Sequence, residues 1–294
     1  MSVLVVIEHD RGAVSAASLE ALAAARTIGP QVEALTLGAA ADGAVAQLAA
    51  HGAAVVHQVH HDLLADYGPE AWGEAVAQAV RTLQPEAVVA TGTERGNEVM
   101  AQAAARLDLP FVANVLEVTT GEVWSISRVR WGGSLIEQCT LTAAAKLLSV
   151  SHHAFDPAEA PAAGAVAALT VVLDPALART VVTERVERAA GVTLATAPLV
   201  VGGGRAVGSS DAFAPLEELA ALLGGVVGCS RAVTNNGWRN HTDQVGQTGT
   251  RIAPDLYMAC GISGAIQHWV GAMASKKILA INTDPEANMV TKAD

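Results

Sequence analysis

Short, wholly apolar runs alternate with helix-spaced stretches along the N-terminal part of the chain, and this alternation does most to limit the fold. Residues 3–7 form such a run, 15–28 is alanine-rich with helical character, and 32–37 is apolar again. The spacing predicts further helices over 44–50, 71–83 and 94–107 and strands over 54–59 and 87–90. Strands that are apolar on both faces suit a parallel sheet covered by helices on either side, which is an α/β architecture.

From residue 111 the period changes. Residues 123–129 and 135–141 read as two strands joined through Trp131-Gly132-Gly133-Ser134, a β-hairpin insertion by its turn chemistry. The two-residue strand period puts Arg128 and Arg130 on one face, where they serve an interface, an anion or, as is usual for charge on an edge strand, only solvent. Residues 155–168 are rich in Ala and Pro, and strands are expected over 169–173 and 180–186. A break follows over 189–197. Residues 1–190 hold 11 basic and 21 acidic side chains, whereas 191–294 hold 7 and 8. This shift, with a new strand–glycine–helix pattern just beyond it, predicts an N-terminal α/β domain over 1–190 and a second, Rossmann-like domain over 191–294.

Composition removes several classes of function. A net charge of −11 with only 3% aromatic residues and no Lys/Arg-rich run lacks the electrostatic footprint of a nucleic-acid binder. Mean hydropathy is +0.34, and residues 256–275 are free of charge, but Gly261, Ser263, Gly264, Gln267, His268 and Gly271 fill the middle of that stretch and argue against membrane insertion. The opening apolar run is too short for a signal peptide and meets Glu8-His9-Asp10-Arg11 at once. Cys139, Cys229 and Cys260 are odd in number and widely spaced, as expected of reduced core residues in a cytoplasmic protein. No metal site is expected: His57, His60 and His61 with Asp62 are the best cluster, and a solvated loop is its commoner reading.

The second domain gathers polar groups where its strands should end. Residues 198–201 run into Gly202-Gly203-Gly204-Arg205, a layout suited to phosphate and equally to an ordinary turn. The strand at 225–229 ends in Ser230-Arg231. Gln244-Val245-Gly246-Gln247-Thr248-Gly249 offers amides and a hydroxyl to an uncharged polar ring. The strand at 256–260 leads through Gly261-Ile262-Ser263-Gly264 into a helix carrying His268. A serine nucleophile at Ser263 fails on geometry, because His268 lies five residues on, about 500° of helix, and so roughly 140° around the axis. Together the four segments suggest a dinucleotide site at the C-terminal ends of a parallel sheet.

The segments VVGGGR (200–205), GCSR (228–231), QVGQTG (244–249), GISGAIQH (261–268) and AINTDPEA (280–287), in this order, resemble the alpha subunit of electron transfer flavoprotein. The resemblance is strongest from residue 198 and extends more loosely to the opening LVVIEHDRG. It implies a C-terminal FAD-binding domain, a heterodimer with a beta subunit, and the work of an electron carrier without substrate turnover of its own. It also implies flavoprotein dehydrogenases, such as the acyl-CoA dehydrogenases of fatty acid β-oxidation, as donors and a quinone oxidoreductase or the respiratory chain as acceptor. Carried over by position, Arg205, Ser263, Gly264, Ala265, Ile266 and Gln267 hold the pyrophosphate and ribityl region. Asn282 lies toward the adenosine, and Ser230, Arg231, Val245, Gly246, Gln247, Thr248 and His268 surround the isoalloxazine. Among these, Arg231, Thr248 and His268 are suited to tune the flavin, since charge and strong donors at its edge stabilise the negative charge that reduction brings. Members of the family continue for a few tens of residues beyond Lys292-Ala293-Asp294, so an incomplete adenosine end is expected. The alternative is an NAD-binding α/β enzyme of the sirtuin-like or deoxyhypusine-synthase-like type.

Overall fold

In the computed structural model, which describes residues 1–184 and 192–294, the chain divides into two units, Met1–Arg130 with Leu135–Val186 and Trp131–Ser134 with Glu187–Asp294. The first unit contains β1 (Ser2–Val6), a small antiparallel ribbon of β2 (His9–Asp10) and β3 (Ala13–Val14), α1 (Ala16–Ile28), β4 (Gln31–Leu37), α2 (Val45–Ala50) and β5 (Val55–Val59). It continues through α3 (Pro69–Leu83), β6 (Ala87–Thr91), α4 (Glu94–Leu107), β7 (Phe111–Thr119), β8 (Trp124–Arg130), β9 (Leu135–Leu141), β10 (Lys146–Val150) and β11 (Ala165–Leu169). The sheet order is β11-β5-β4-β1-β6-β10-β7-β8-β9, parallel from β11 to β7 and antiparallel through the hairpin of β8 and β9.

Local chemistry sets the helix ends. The Ser15 side chain accepts from the Ser18 N–H at the start of α1, Pro69 opens α3, and Thr93 accepts from the Gly96 N–H at the start of α4. Alanines let α1 lie close to the sheet, with Ala21, Ala24 and Ala25 fully buried beside Val3, Val5 and Val89. The opposite face of the same sheet packs Leu4, Leu35 and Val88 against Trp72, Val76 and Met100. Both faces of β1 and β6 are therefore apolar, as a parallel sheet between helix layers requires.

The strand expected over 169–173 is displaced: β11 ends at Leu169, and Val172 is 81% exposed. The Gln78 side chain takes both backbone groups of Val172, accepting from its N–H at 2.9 Å and donating to its carbonyl at 2.8 Å, so no neighbouring strand is needed. Asp174 then caps a short 3-10 turn over Pro175–Leu177. Of the strand expected over 180–186, residues 180–184 have no regular structure and the rest lies outside the described residues, as does the boundary proposed at 190/191. In the hairpin, Arg128 and Arg130 share Glu137, at 2.5 and 3.7 Å.

The second unit contains β12 (Leu199–Gly203), α5 (Ala214–Leu222), β13 (Val226–Cys229), α6 (Arg231–Asn235), β14 (Leu256–Cys260), α7 (Ile266–Ala272), β15 (Ile278–Ile281) and α8 (Asn288–Thr291). Its sheet is wholly parallel in the order β13-β12-β14-β15. Val200, Tyr257, Ala259, Ile262, Ala272 and Met289 form the core. The uncharged stretch at 256–275 resolves into β14, a turn and α7, and no helix among the described residues is long and apolar enough to cross a membrane.

Candidate functional site

Ligands of open parallel sheets bind beyond the C-terminal strand ends, where the strand order reverses. In the second unit that reversal falls between β12 and β14, with β13 and β15 outside them. A cleft of about 580 Å³ opens there, walled by Arg205 and Ala206 after β12 and by Ser230, Arg231 and Ala232 after β13. Gly261, Ile262, Ser263, Ala265, Gln267 and His268 follow β14, and Asn282, Asp284 and Ala287 follow β15. Its volume is that of a typical small-molecule or cofactor site.

The triple glycine is not a loop. Gly202 and Gly203 are the last residues of β12, and each leaves room for a ring: a Cβ on Gly202 would lie 2.3 Å from the Tyr257 hydroxyl, and one on Gly203 would lie 2.3 Å from Phe213. Gly204 alone stands beyond the strand. Its N–H donates to the Cys260 carbonyl at 2.8 Å, and a Cβ there would meet the Gly261 carbonyl oxygen at 2.0 Å. The turns that follow β12 and β14 thus interlock through backbone. Gly261 and Gly264 hold left-handed φ of 66° and 73°, which glycine adopts without strain. Asn282 donates from Nδ2 to the Ile262 carbonyl at 3.0 Å and so braces the same turn.

Charge at the cleft is mostly positive. Neither the Arg205 nor the Arg231 guanidinium makes an ion pair among the described residues, whereas Arg239 nearby in sequence is held by Glu217 and Asp243. Asp284 is the one carboxylate in the wall among the described residues. Two free guanidiniums beside exposed Ser263 and a glycine-rich turn form a set suited to a diphosphate. Cys229 and Cys260 end β13 and β14. Burial, with Asp243 adding to it, pushes the Cys229 thiol up to about 12, and burial raises Cys260 too, so both remain thiols.

His268 is 7% exposed. Its Nε2 lies 2.8 Å from the Tyr257 hydroxyl, and Nδ1 is buried without a hydrogen-bond partner. Burial lowers its pKa to about 4, outweighing the pull of the Val245 carbonyl, which is near the ring but does not meet hydrogen-bond geometry, so the ring is neutral near pH 7 and acts on a ligand as a dipole.

Six of the residues placed at the site by sequence lie off the cleft wall: Val245, Gly246, Gln247, Thr248, Gly264 and Ile266. The segment at 244–249 follows no strand of the sheet and packs against α7 instead, where a Cβ on Gly271 would lie 2.3 Å from the Gly246 Cα. The Gln247 N–H donates to the Gln267 carbonyl at 2.7 Å, which ties this segment to the wall. Buried Gln244 organises it, accepting from the Thr234 hydroxyl at 2.7 Å and donating to Thr248 Oγ1 at 2.9 Å. Thr248 is exposed, and its own hydroxyl hydrogen is free to point outward. Gly264 packs against the Met289 N–H, which a Cβ would meet at 2.3 Å.

Sequence reasoning gave no role to Tyr257, Ala206, Asp284 or Ala287, and took Gln244 only as one amide of its segment. For Tyr257 the signal was present in the paired glycines of β12, which mark a strand crowded by rings. His57, His60 and His61, considered above as a cluster, are engaged separately by Glu33, Asp42 and the Leu63 N–H.

Comparison with known proteins adds a family to this geometry. Residues 193–273 match the family described as "Electron transfer flavoprotein FAD-binding domain", and residues 3–176 match "Electron transfer flavoprotein domain". The chain is 35% identical over 299 residues to a protein of Caenorhabditis elegans named "Probable electron transfer flavoprotein subunit alpha, mitochondrial", covering 100% of this chain and 88% of that one. It is 33% identical to the "Electron transfer flavoprotein subunit alpha" of Bacillus subtilis, over 99% of this chain and 91% of that one. With the protein of the same name from Bradyrhizobium diazoefficiens the identity is 37%, over 100% and 93%.

Proposed function

The chain belongs to the electron transfer flavoprotein alpha-subunit family, and from that premise we propose that the cleft at the ends of β12, β13, β14 and β15 holds FAD while the chain carries electrons in complex with a beta subunit. Flavoprotein dehydrogenases, such as acyl-CoA dehydrogenases, are the proposed donors, and a quinone oxidoreductase or the respiratory chain is the proposed acceptor. The observation that carries this reading is one cleft fed by every strand of the sheet, with two guanidiniums in its wall that make no ion pair among the described residues.

The residues fit the cofactor on three observations. Gly204 and Gly264 stand where any side chain would strike the backbone of Gly261 or Met289, so the turns keep the shape that a pyrophosphate needs. Arg205 and Arg231 have charge to give, and His268 retains an orphaned Nδ1. When bound, FAD supplies the one- and two-electron chemistry that no side chain here offers. Arg205, Ser263, Gly264, Ala265, Ile266 and Gln267 would hold its pyrophosphate and ribityl part, with Asn282 toward the adenosine. Ser230, Arg231, Val245, Gly246, Gln247, Thr248 and His268 would border the ring, Arg231 by charge and Thr248 and His268 by donation.

The domain over 1–190 is assigned to subunit contact and that over 191–294 to the cofactor. The concentration of acidic side chains in the first part supports this division, because it leaves a near-neutral part for an anionic ligand. A cytoplasmic location is proposed on the three free cysteines.

Potentiometry of the complex tests the reading. Arg231→Ala and His268→Ala are expected to make the flavin harder to reduce, by about 60 mV for each tenfold loss in the one-electron equilibrium. Unchanged potentials in both variants would remove these residues from the site.

A further inference from the structure

We infer that Tyr257 is a positioning residue for the electron carrier proposed above: its hydroxyl donates to Nε2 of His268 and holds the buried imidazole in the neutral tautomer whose hydrogen sits on Nδ1. The geometry is a closed pair. Tyr257 is fully buried on β14, its oxygen lies 2.8 Å from Nε2, and the two rings stack with centroids 6.0 Å apart and planes inclined by 27°.

Two proton arrangements fit that distance. If tyrosine donates, the phenolic hydrogen and the Nε2 lone pair satisfy each other, and the ring keeps a single unused group, the Nδ1–H. If histidine donates instead, the phenolic hydrogen has no acceptor within the described residues and the buried Nδ1 lone pair has no donor. The second arrangement strands two buried polar groups and the first strands one, so the first is favoured. Burial raises the Tyr257 pKa strongly, with Cys260 and Cys229 adding to it, so the phenol keeps its proton. The same burial keeps His268 neutral.

Gly202 gives independent support. Its φ is not left-handed, so conformation does not require glycine there. Space does: a Cβ would reach to 2.3 Å from the Tyr257 oxygen and push the hydroxyl off His268. The glycine pair that reads as a phosphate loop in the sequence is in part the clearance for this hydroxyl. The consequence for the cleft is chemical. His268 stands in its wall with one ring donor left over and no positive charge, so any hydrogen bond it gives a bound ligand comes from the Nδ1–H.

Nitrogen NMR of the histidine-labelled full chain in its complex, with and without FAD, tests this directly. The expected spectrum shows His268 protonated on Nδ1 and bare on Nε2, without titration across roughly pH 5–8. Tyr257→Phe and Gly202→Ala should each mix in the Nε2–H form and move the titration up toward the ordinary histidine value of about 6.5. A wild-type ring protonated on Nε2 overturns the inference whether or not the variants fold, and so does a Tyr257→Phe ring unchanged from wild type. The two readings fail separately. A colourless complex with the Nδ1–H ring removes the carrier and leaves the tautomer, whereas a flavin-bearing complex with the Nε2–H ring does the reverse.

Discussion

The two units share a topological device and finish it in opposite ways. In the first, strand order reverses between β1 and β6, as it does between β12 and β14 in the second. Beyond β1, however, stands Glu8, whose carboxylate accepts from the hydroxyls of Thr91 and Thr93, and Thr93 also caps α4. Gly96 brings α4 so close that a Cβ would meet Thr91 at 2.2 Å. The remaining cavity is about 10 Å³, barely space for one water. Beyond β12 stands Gly204 and beyond β14 stands Gly261, and the side chains that follow them, Arg205 and Ser263, line a cleft of about 580 Å³. A reversal of strand order provides a place for a ligand. The first residues past the strands decide whether the place becomes a site.

The largest effect is expected where backbone meets backbone. Gly204→Val would force a side chain onto the Gly261 carbonyl, an overpacking cost of about 1–3 kcal/mol that falls on the turns of the cleft, and FAD should be lost from the purified complex. Retention of cofactor by that variant would break the comparison.

Next comes pH. Two of the buried histidines differ: His9 is partnered at both nitrogens, by the Leu37 carbonyl and the Gly12 N–H, and His268 at one. The folded value of His268, about 4, lies below the ordinary 6.5, so between these values the unfolded chain binds a proton that the folded chain refuses. Stability should therefore fall by about 3 kcal/mol as pH drops from about 6.5 to about 4 and change no further below that on its account. Chemical unfolding of the cofactor-free complex at several pH values checks this, with His268→Gln expected to lose that part of the slope.

Removal of either guanidinium, as Arg205→Ala or Arg231→Ala, should weaken FAD binding by about 1.5–3 kcal/mol, roughly 10- to 150-fold. Arg239→Ala is the control, because that side chain already has Glu217 and Asp243 as partners and is not in the cleft wall. Titration with FAD at fixed salt separates them; equal losses in all three would mean that net charge, not placement, holds the cofactor. The smallest effect belongs to the closed end. Glu8→Gln keeps an acceptor for one threonine and should cost about 1 kcal/mol in stability, read by urea unfolding, with FAD binding unchanged.

Much of this was legible in the chain itself, for reasons that differ by region. Residues 3–107 announce their strands and helices because burial on both faces removes polar residues from β1 and β6. The strand placed over 169–173 missed because Gln78, far away in sequence on α3, supplies its hydrogen bonds. Arg205, Arg231 and His268 were legible as motif residues, and the structure brings all three to one wall. The segment at 244–249 was legible as polar but not as a brace for α7, since the closeness of Gly246 and Gly271 is a tertiary fact. Gly202 and Gly203 read as a loop because glycine has the same letter whether it supplies conformation or space. Only the positions of Tyr257 and Phe213 distinguish the two.

The contrast between the two strand ends reduces to one measurement: the visible absorption spectrum, and from it the FAD content, of the extensively dialysed complex with its beta subunit. Wild type and Glu8→Gln should hold flavin to the same extent, and Gly204→Val should hold none. A colourless wild type, or flavin kept by Gly204→Val and lost by Glu8→Gln, would contradict the assignment of the cofactor to the second unit.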